Sequence, residues 1–178
     1  PPDRCYYCKK ELMKALLQVA SKEGLKLVVD GTNVDDLHGH RPGVKALTEM
    51  GARSPLAELS IGKNEVRALS RKLGLPTADK PPMACLASRF PYGTRITLEG
   101  LKKVSEAEDF IKRVIGVKLV RVREHEETAR IEVDRNERSL FFNEELLDKV
   151  SKRLKELGYL YVALELEGYA QGSLDKML

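Results

Sequence analysis

The 178 residues are 42% hydrophobic and 33% charged, a composition that can bury a core and is neither disordered nor fibrous. The 31 basic and 27 acidic residues leave a net charge of +4 with no long block of one sign, so there is no basic footprint for nucleic acid. No apolar run reaches the ~18 residues of a membrane-spanning helix, and three cysteines read as thiols in a reducing cytoplasm, available for metal or chemistry.

Pro1-Pro2-Asp3-Arg4 carries no initiator Met, basic n-region or apolar h-region, so the opening is not a signal peptide and reads as the start of a piece of a longer chain. Leu12, Ala15, Leu16, Val19 and Ala20 recur at helical spacing, with Gly24 at the expected end. A short strand, Leu27-Val28-Val29, runs into Asp30-Gly31-Thr32-Asn33. A second helix is predicted over Val44–Met50, closed by Gly51, then an edge strand at Ser54-Pro55-Leu56. A third helix carries Val66, Leu69 and Leu73 and stops at Gly74 and Pro76. This alternation predicts an α/β layer with parallel strands over residues 1–80. From Pro76 to Gly93 no period holds, and residues 81–94 are read as a functional loop and linker. Over 95–178 the order is β-α-β-β-α-β: a strand at Ile96, a helix from Leu98 to Val114, strands at 117–124 and 128–134, a helix from Leu146 to Leu157 capped by Gly158, and a strand from Tyr159 to Glu167. That order predicts a ferredoxin-like α+β domain.

Four constellations could carry chemistry. Cys5-Tyr6-Tyr7-Cys8, just before the first helix, has a spacing that suits one metal, a redox pair, or two half-buried thiols. A zinc site needs a fourth ligand, to which His38 or His40 could contribute, although they flank a Gly and read more as a loop. Cys85, in a loop beside Arg89, has the surroundings of a reactive thiol, and three thiols suit an iron–sulfur cluster with one iron left open. Asp30 to Asp36 follows a buried strand at its carboxyl end, where α/β sheets bind ligands and paired Asp can hold Mg²⁺; an Asx-type turn accounts for it equally well. Arg121 and Arg123 share one strand face, beside Thr128, Arg130, Glu132 and Asp134 on the next strand. These residues are expected on the open side of the sheet, either as a clamp for phosphate or carboxylate or as a solvated, salt-bridged face.

Together these segments resemble the LarE-type sulfur transferases of the PP-loop ATP pyrophosphatase superfamily. The resemblance is carried by Cys5-Tyr6-Tyr7-Cys8-Lys9-Lys10, Val29 to Asp36, Arg41-Pro42-Gly43, Arg53 to Leu56, Leu73 to Thr77, Ala84 to Gly93, and Leu166 to Leu174. It implies that residues 1–80 are the C-terminal part of an adenine nucleotide alpha hydrolase-like domain. The family's Ser-Gly-Gly-x-Asp-Ser phosphate loop has no match here, so the resemblance assigns ATP chemistry to a longer parent protein. It further implies adenylation of a pyridinium dicarboxylate mononucleotide with ATP and Mg²⁺, followed by sulfur insertion in nickel-pincer nucleotide biosynthesis. Cys5, Cys8 and Cys85 would bind a four-iron cluster, or Cys85 alone would give up its sulfur. Arg89, Arg121 and Arg123 would meet phosphate and the transferred group, Glu132 would belong to a metal site, and Gly31, Thr32, Asn33 and Asp35 or Asp36 would lie on the nucleotide side. The resemblance also implies a cytoplasmic homo-oligomer. Two other readings are a PP-loop tRNA-thiolating enzyme and a zinc-stabilised binding domain without catalytic activity.

Overall fold

A computed structural model describes residues 1–38, 41–80, 83–170 and 172–173. The chain divides into two units, Pro1–Lys80 and Pro81–Leu178.

In the first unit α1 (Arg4–Lys22) begins at Arg4, well before the first periodic apolar residue, so the Cys5/Cys8 pair lies inside the helix rather than ahead of it. Gly24, at φ +66°, ends it as predicted. In α2 (Pro42–Glu49), Pro42 sits in the first turn, where its missing N–H costs nothing. The two helices pack on each other, and Met13 and Ala20 of α1 and Ala46 and Leu47 of α2 are buried. Gly43 permits the close approach, since a Cβ there would meet Lys9 Cγ at 3.2 Å and the Cys5 carbonyl at 3.6 Å.

The predicted strands of this unit shrink. Val29 makes a single parallel bridge to Arg53, and Ser54-Pro55-Leu56 is not a strand: Pro55 opens a one-turn helix, α3 (Pro55–Glu58). Proline lacks the N–H a ladder needs and has the φ that a helix start needs, so helix wins. The parallel sense stands, but among the described residues this unit has no sheet. α4 (Lys63–Lys72) starts after Gly62, whose N–H donates to Glu65 at 3.0 Å.

The second unit holds α5 (Leu98–Ile115), β1 (Val120–His125), β2 (Thr128–Val133), α6 (Glu144–Glu156) and β3 (Tyr161–Leu164). The Thr97 hydroxyl accepts from Gly100 N at 3.0 Å to cap α5, and Asn143 caps α6 in the same way. β1 and β2 form an antiparallel hairpin with Val120 opposite Val133 and His125 opposite Thr128, and β3 runs parallel to β2. The expected strand at Ile96 is absent. Ile96 instead packs at the edge of the core, and among the described residues the sheet has three strands in the order β1-β2-β3, with β3 seated directly against β2. A β-α-β crossover, β2–α6–β3, therefore joins adjacent strands, and the four-stranded ferredoxin-like sheet is not reached. Both helices cover one sheet face, where Val104, Ala107, Ile111, Val120, Val122, Ala129, Ile131, Val133, Val150 and Leu154 are buried together. That cluster fixes the strand register and so fixes which side chains point to the opposite face.

Candidate functional site

In β1 the residues 121 and 123 point away from the helices, and so do 130 and 132 in β2, as their alternation requires. The expectation of a solvated face there is overturned: Arg121, Arg123 and Glu132 are 4%, 5% and 1% exposed. The 3₁₀ turn Leu86–Arg89 and the segment after β3 cover them. Arg123 donates through Nε and Nη2 to Glu132 Oε2 at 2.9 and 2.7 Å, through Nη1 to the Ser88 carbonyl at 2.8 Å, and through Nη2 to Ser173 Oγ at 2.9 Å. Arg130 Nη2 donates to the other Glu132 oxygen at 3.1 Å. Both oxygens of Glu132 are thus engaged by guanidinium groups, a donor set that does not fit a metal at this carboxylate.

Arg121 donates Nη1 to the Val120 carbonyl at 2.9 Å, and its guanidinium carbon lies 5.5 Å from the Tyr169 ring centre. Burial, and then the neighbouring Arg89 charge, push its pKa below the usual arginine value. Positive charge at this position is held at a cost, and an anion brought to it would be favoured.

Cys85 is exposed and precedes the 3₁₀ turn. Beneath that turn Arg89 is 3% exposed and forms a bidentate pair with Glu108 of α5, Nε to Oε1 at 2.7 Å and Nη2 to Oε2 at 2.9 Å. Its Nη1 reaches the Ala84 and Cys85 carbonyls and Ser88 Oγ, each at 3.0 Å. Glu108 Oε1 also accepts from Val122 N at 2.9 Å. Sequence reasoning passed over Glu108. Its signal was positional: it lies within the inward stripe Val104, Ala107, Ile111, where a carboxylate has no place unless something pairs with it. Ser88, Tyr169 and Ser173 gave no signal of their own beyond the motifs that contain them.

In the first unit Cys5 and Cys8 stand one turn apart on α1, both exposed, so they share a helix face. Tyr6, between them in sequence, donates to Glu49 at 2.5 Å and lies within cation–π range of Lys10 and Lys45. Three thiols are a fitting donor set for an iron–sulfur cluster with one open iron. Within each unit, among the described residues, no three Cys, His, Asp or Glu side chains converge as a metal site. His38 is exposed, and His40, Pro81, Pro82 and Leu174 lie outside the described residues.

The loop from Asp30 to Asp36 is brought together as one hydrogen-bonded unit. The Asp30 carboxylate accepts from Thr32 Oγ1 at 2.5 Å and Ser54 Oγ at 2.6 Å. Partial burial raises its pKa, and these hydroxyls outweigh that and hold it below the ordinary value. Asn33 and Asp36 cap the short 3₁₀ turn Val34–Leu37 reciprocally, and Asp35 accepts from Lys63 N at 2.7 Å. Gly31 is exposed in this loop. Asp36 is thus engaged in capping its own turn, whereas Asp30 and Asp35 also accept from Ser54 and Lys63 outside the loop.

Over its whole length the chain is 47% identical to an uncharacterized protein of Synechocystis sp. and covers 66% of that protein. It is 40% identical over 99% of its length to the pyridinium-3,5-bisthiocarboxylic acid mononucleotide synthase of Lactiplantibacillus plantarum, covering 63% of it. An uncharacterized protein of Methanocaldococcus jannaschii is 35% identical over 94% of the chain, which covers 64% of it. The chain therefore spans just under two thirds of the length of these relatives. No protein-family model matches it.

Proposed function

We propose that this chain is part of a LarE-type sulfur-inserting synthase acting on a pyridinium dicarboxylate mononucleotide. The observation that carries this reading is the 40% identity, over nearly the whole chain, to a protein named for making the bisthiocarboxylic acid mononucleotide. The exposed Cys85, set on a turn above two buried arginine–carboxylate pairs, supports it.

In this reading ATP adenylates a substrate carboxylate, so that the poor carboxylate electrophile gains a good leaving group and a soft sulfur nucleophile displaces AMP. The loop carrying Gly31, Thr32, Asn33, Asp35 and Asp36 contributes the nucleotide and Mg²⁺ side. Arg121 faces the anionic group of the mononucleotide, with Arg123 behind it, held by Glu132. A four-iron cluster bound by Cys5, Cys8 and Cys85 would supply sulfide as the transferred sulfur. The protein works in the reducing cytoplasm, where such thiols persist.

Anaerobic reconstitution of the full-length protein with iron and sulfide tests this. The expected result is broad absorption near about 400 nm and about four irons per chain, lost when Cys5, Cys8 or Cys85 is replaced by Ala. Full sulfur transfer by the Cys5→Ala, Cys8→Ala double variant, with Cys85 lighter by one H₂S after turnover, would overturn the cluster. Cys85 would then attack the adenylate itself. Loss of its Cα proton and cleavage of Cβ–Sγ would leave thiocarboxylate on the substrate and dehydroalanine in the chain.

A further inference from the structure

We infer that Glu108 and Arg89 form a buried brace that positions the Cys85 thiol, so that Arg89 acts through the loop backbone and not by touching substrate. The inference rests on the reading of Cys85 as a sulfur-handling thiol, but its physical basis is independent of that chemistry.

All three nitrogens of the Arg89 guanidinium are spent inside the protein. Nε and Nη2 go to Glu108, while Nη1 is shared among the Ala84 carbonyl, the Cys85 carbonyl and Ser88 Oγ. The side chain is 3% exposed, so neither its charge nor its donors face solvent. Glu108 in turn is fixed by α5, whose neighbouring Ala107 and Ile111 are buried in the core, and by the amide of Val122 in the middle of β1. A continuous run of hydrogen bonds thus links the rigid helix–strand core to the two carbonyls that flank the Cys85 amide.

The turn adds its own closure, since Ser88 N and Ser88 Oγ both donate to the Cys85 carbonyl, at 3.0 and 2.7 Å. Arg123, anchored on Glu132, holds the Ser88 carbonyl from the far end. An exposed loop thiol ordinarily samples many positions. Here the backbone on either side of it is tied to buried charge, and only the planar guanidinium fork can reach the carboxylate and the carbonyls at once. A reactive group held on such a frame needs little reorganisation to meet its substrate.

The test uses Arg89→Lys, which keeps a cation beside Glu108 but has no fork to span to the carbonyls, and Glu108→Gln, which keeps the bond from Val122 and removes the charge. Two readouts need no sulfur transfer: amide hydrogen exchange over residues 84–88, and the rate at which iodoacetamide alkylates each cysteine, followed by mass spectrometry. The expected result for Arg89→Lys is about tenfold faster exchange over 84–88, the loss of one charged hydrogen bond. Cys85 alkylation should change by at least about threefold, with Cys5 and Cys8, on α1, as unchanged internal references. Folded variants with unchanged exchange and unchanged Cys85 alkylation would overturn the brace. Loss of the fold in both variants would also overturn it, by assigning the pair to global stability. A braced Cys85 that fails in sulfur transfer would remove the functional reading and leave the brace standing.

Discussion

Glu132 shows how much a single buried charge decides. At 1% exposure it is tolerable only because Arg123 and Arg130 occupy its two oxygens. Arg123→Ala should therefore destabilise the second unit by about 3–5 kcal/mol, read from denaturant midpoints. The double change Arg123→Met, Glu132→Leu should cost much less, because no charge is left behind. His125 has a buried Nε2 with no hydrogen-bond partner among the described residues, and burial, then Arg130, lower its pKa. The unfolded chain takes up this proton at a higher pH than the fold does. Stability from this site is thus fully present above about pH 6.5 and lost as pH falls below it. His125→Gln should flatten that slope in urea titrations between about pH 5 and 7. Asp30 behaves as a depressed carboxylate: its contribution is present above about pH 4 and is lost on acidification through its lowered pKa. Ser54→Ala should move that acid limb of the first unit's unfolding upward.

Among the elements, Gly168 marks where the chain turns after β3. Its φ is +79°, and a Cβ would sit 2.8 Å from the Val133 carbonyl, the group that accepts from Tyr169 N at 2.7 Å. Gly168→Ala should cost about 1–3 kcal/mol and lower the melting temperature, with Tyr169 displaced from Arg121. The second unit was legible in sequence because its signals agree: alternation in β1 and β2, a 3.6-residue stripe in α5 and α6, and Gly158 at a helix end. The first unit was less so. Leu27-Val28-Val29 reads as a strand by composition, yet only Val29 pairs, and a strand depends on neighbours that no local pattern supplies. The start of α1 was missed because Cys5, Tyr6 and Cys8 carry no helical apolar period. For the site, alternation identified Arg121, Arg123 and Glu132 as facing together, but not that the 86–89 turn would bury them, since that closure depends on Glu108 across a long sequence gap.

At the scale of the whole molecule, the candidate site residues are divided between the units. Cys5, Cys8 and the Asp30–Asp36 loop belong to the first, and Cys85 with its arginines belongs to the second. The Glu108 carboxylate has one more consequence, for how this protein meets copies of itself. The outward amide of Val122, in the middle of β1, is taken by Glu108. A strand added along that side would have to evict a carboxylate locked to a buried arginine. The oxygens in its way accept hydrogen bonds and cannot extend a ladder. Intermolecular strand addition, the usual route from a small open sheet to aggregate, is thereby opposed at the middle of the β1 edge.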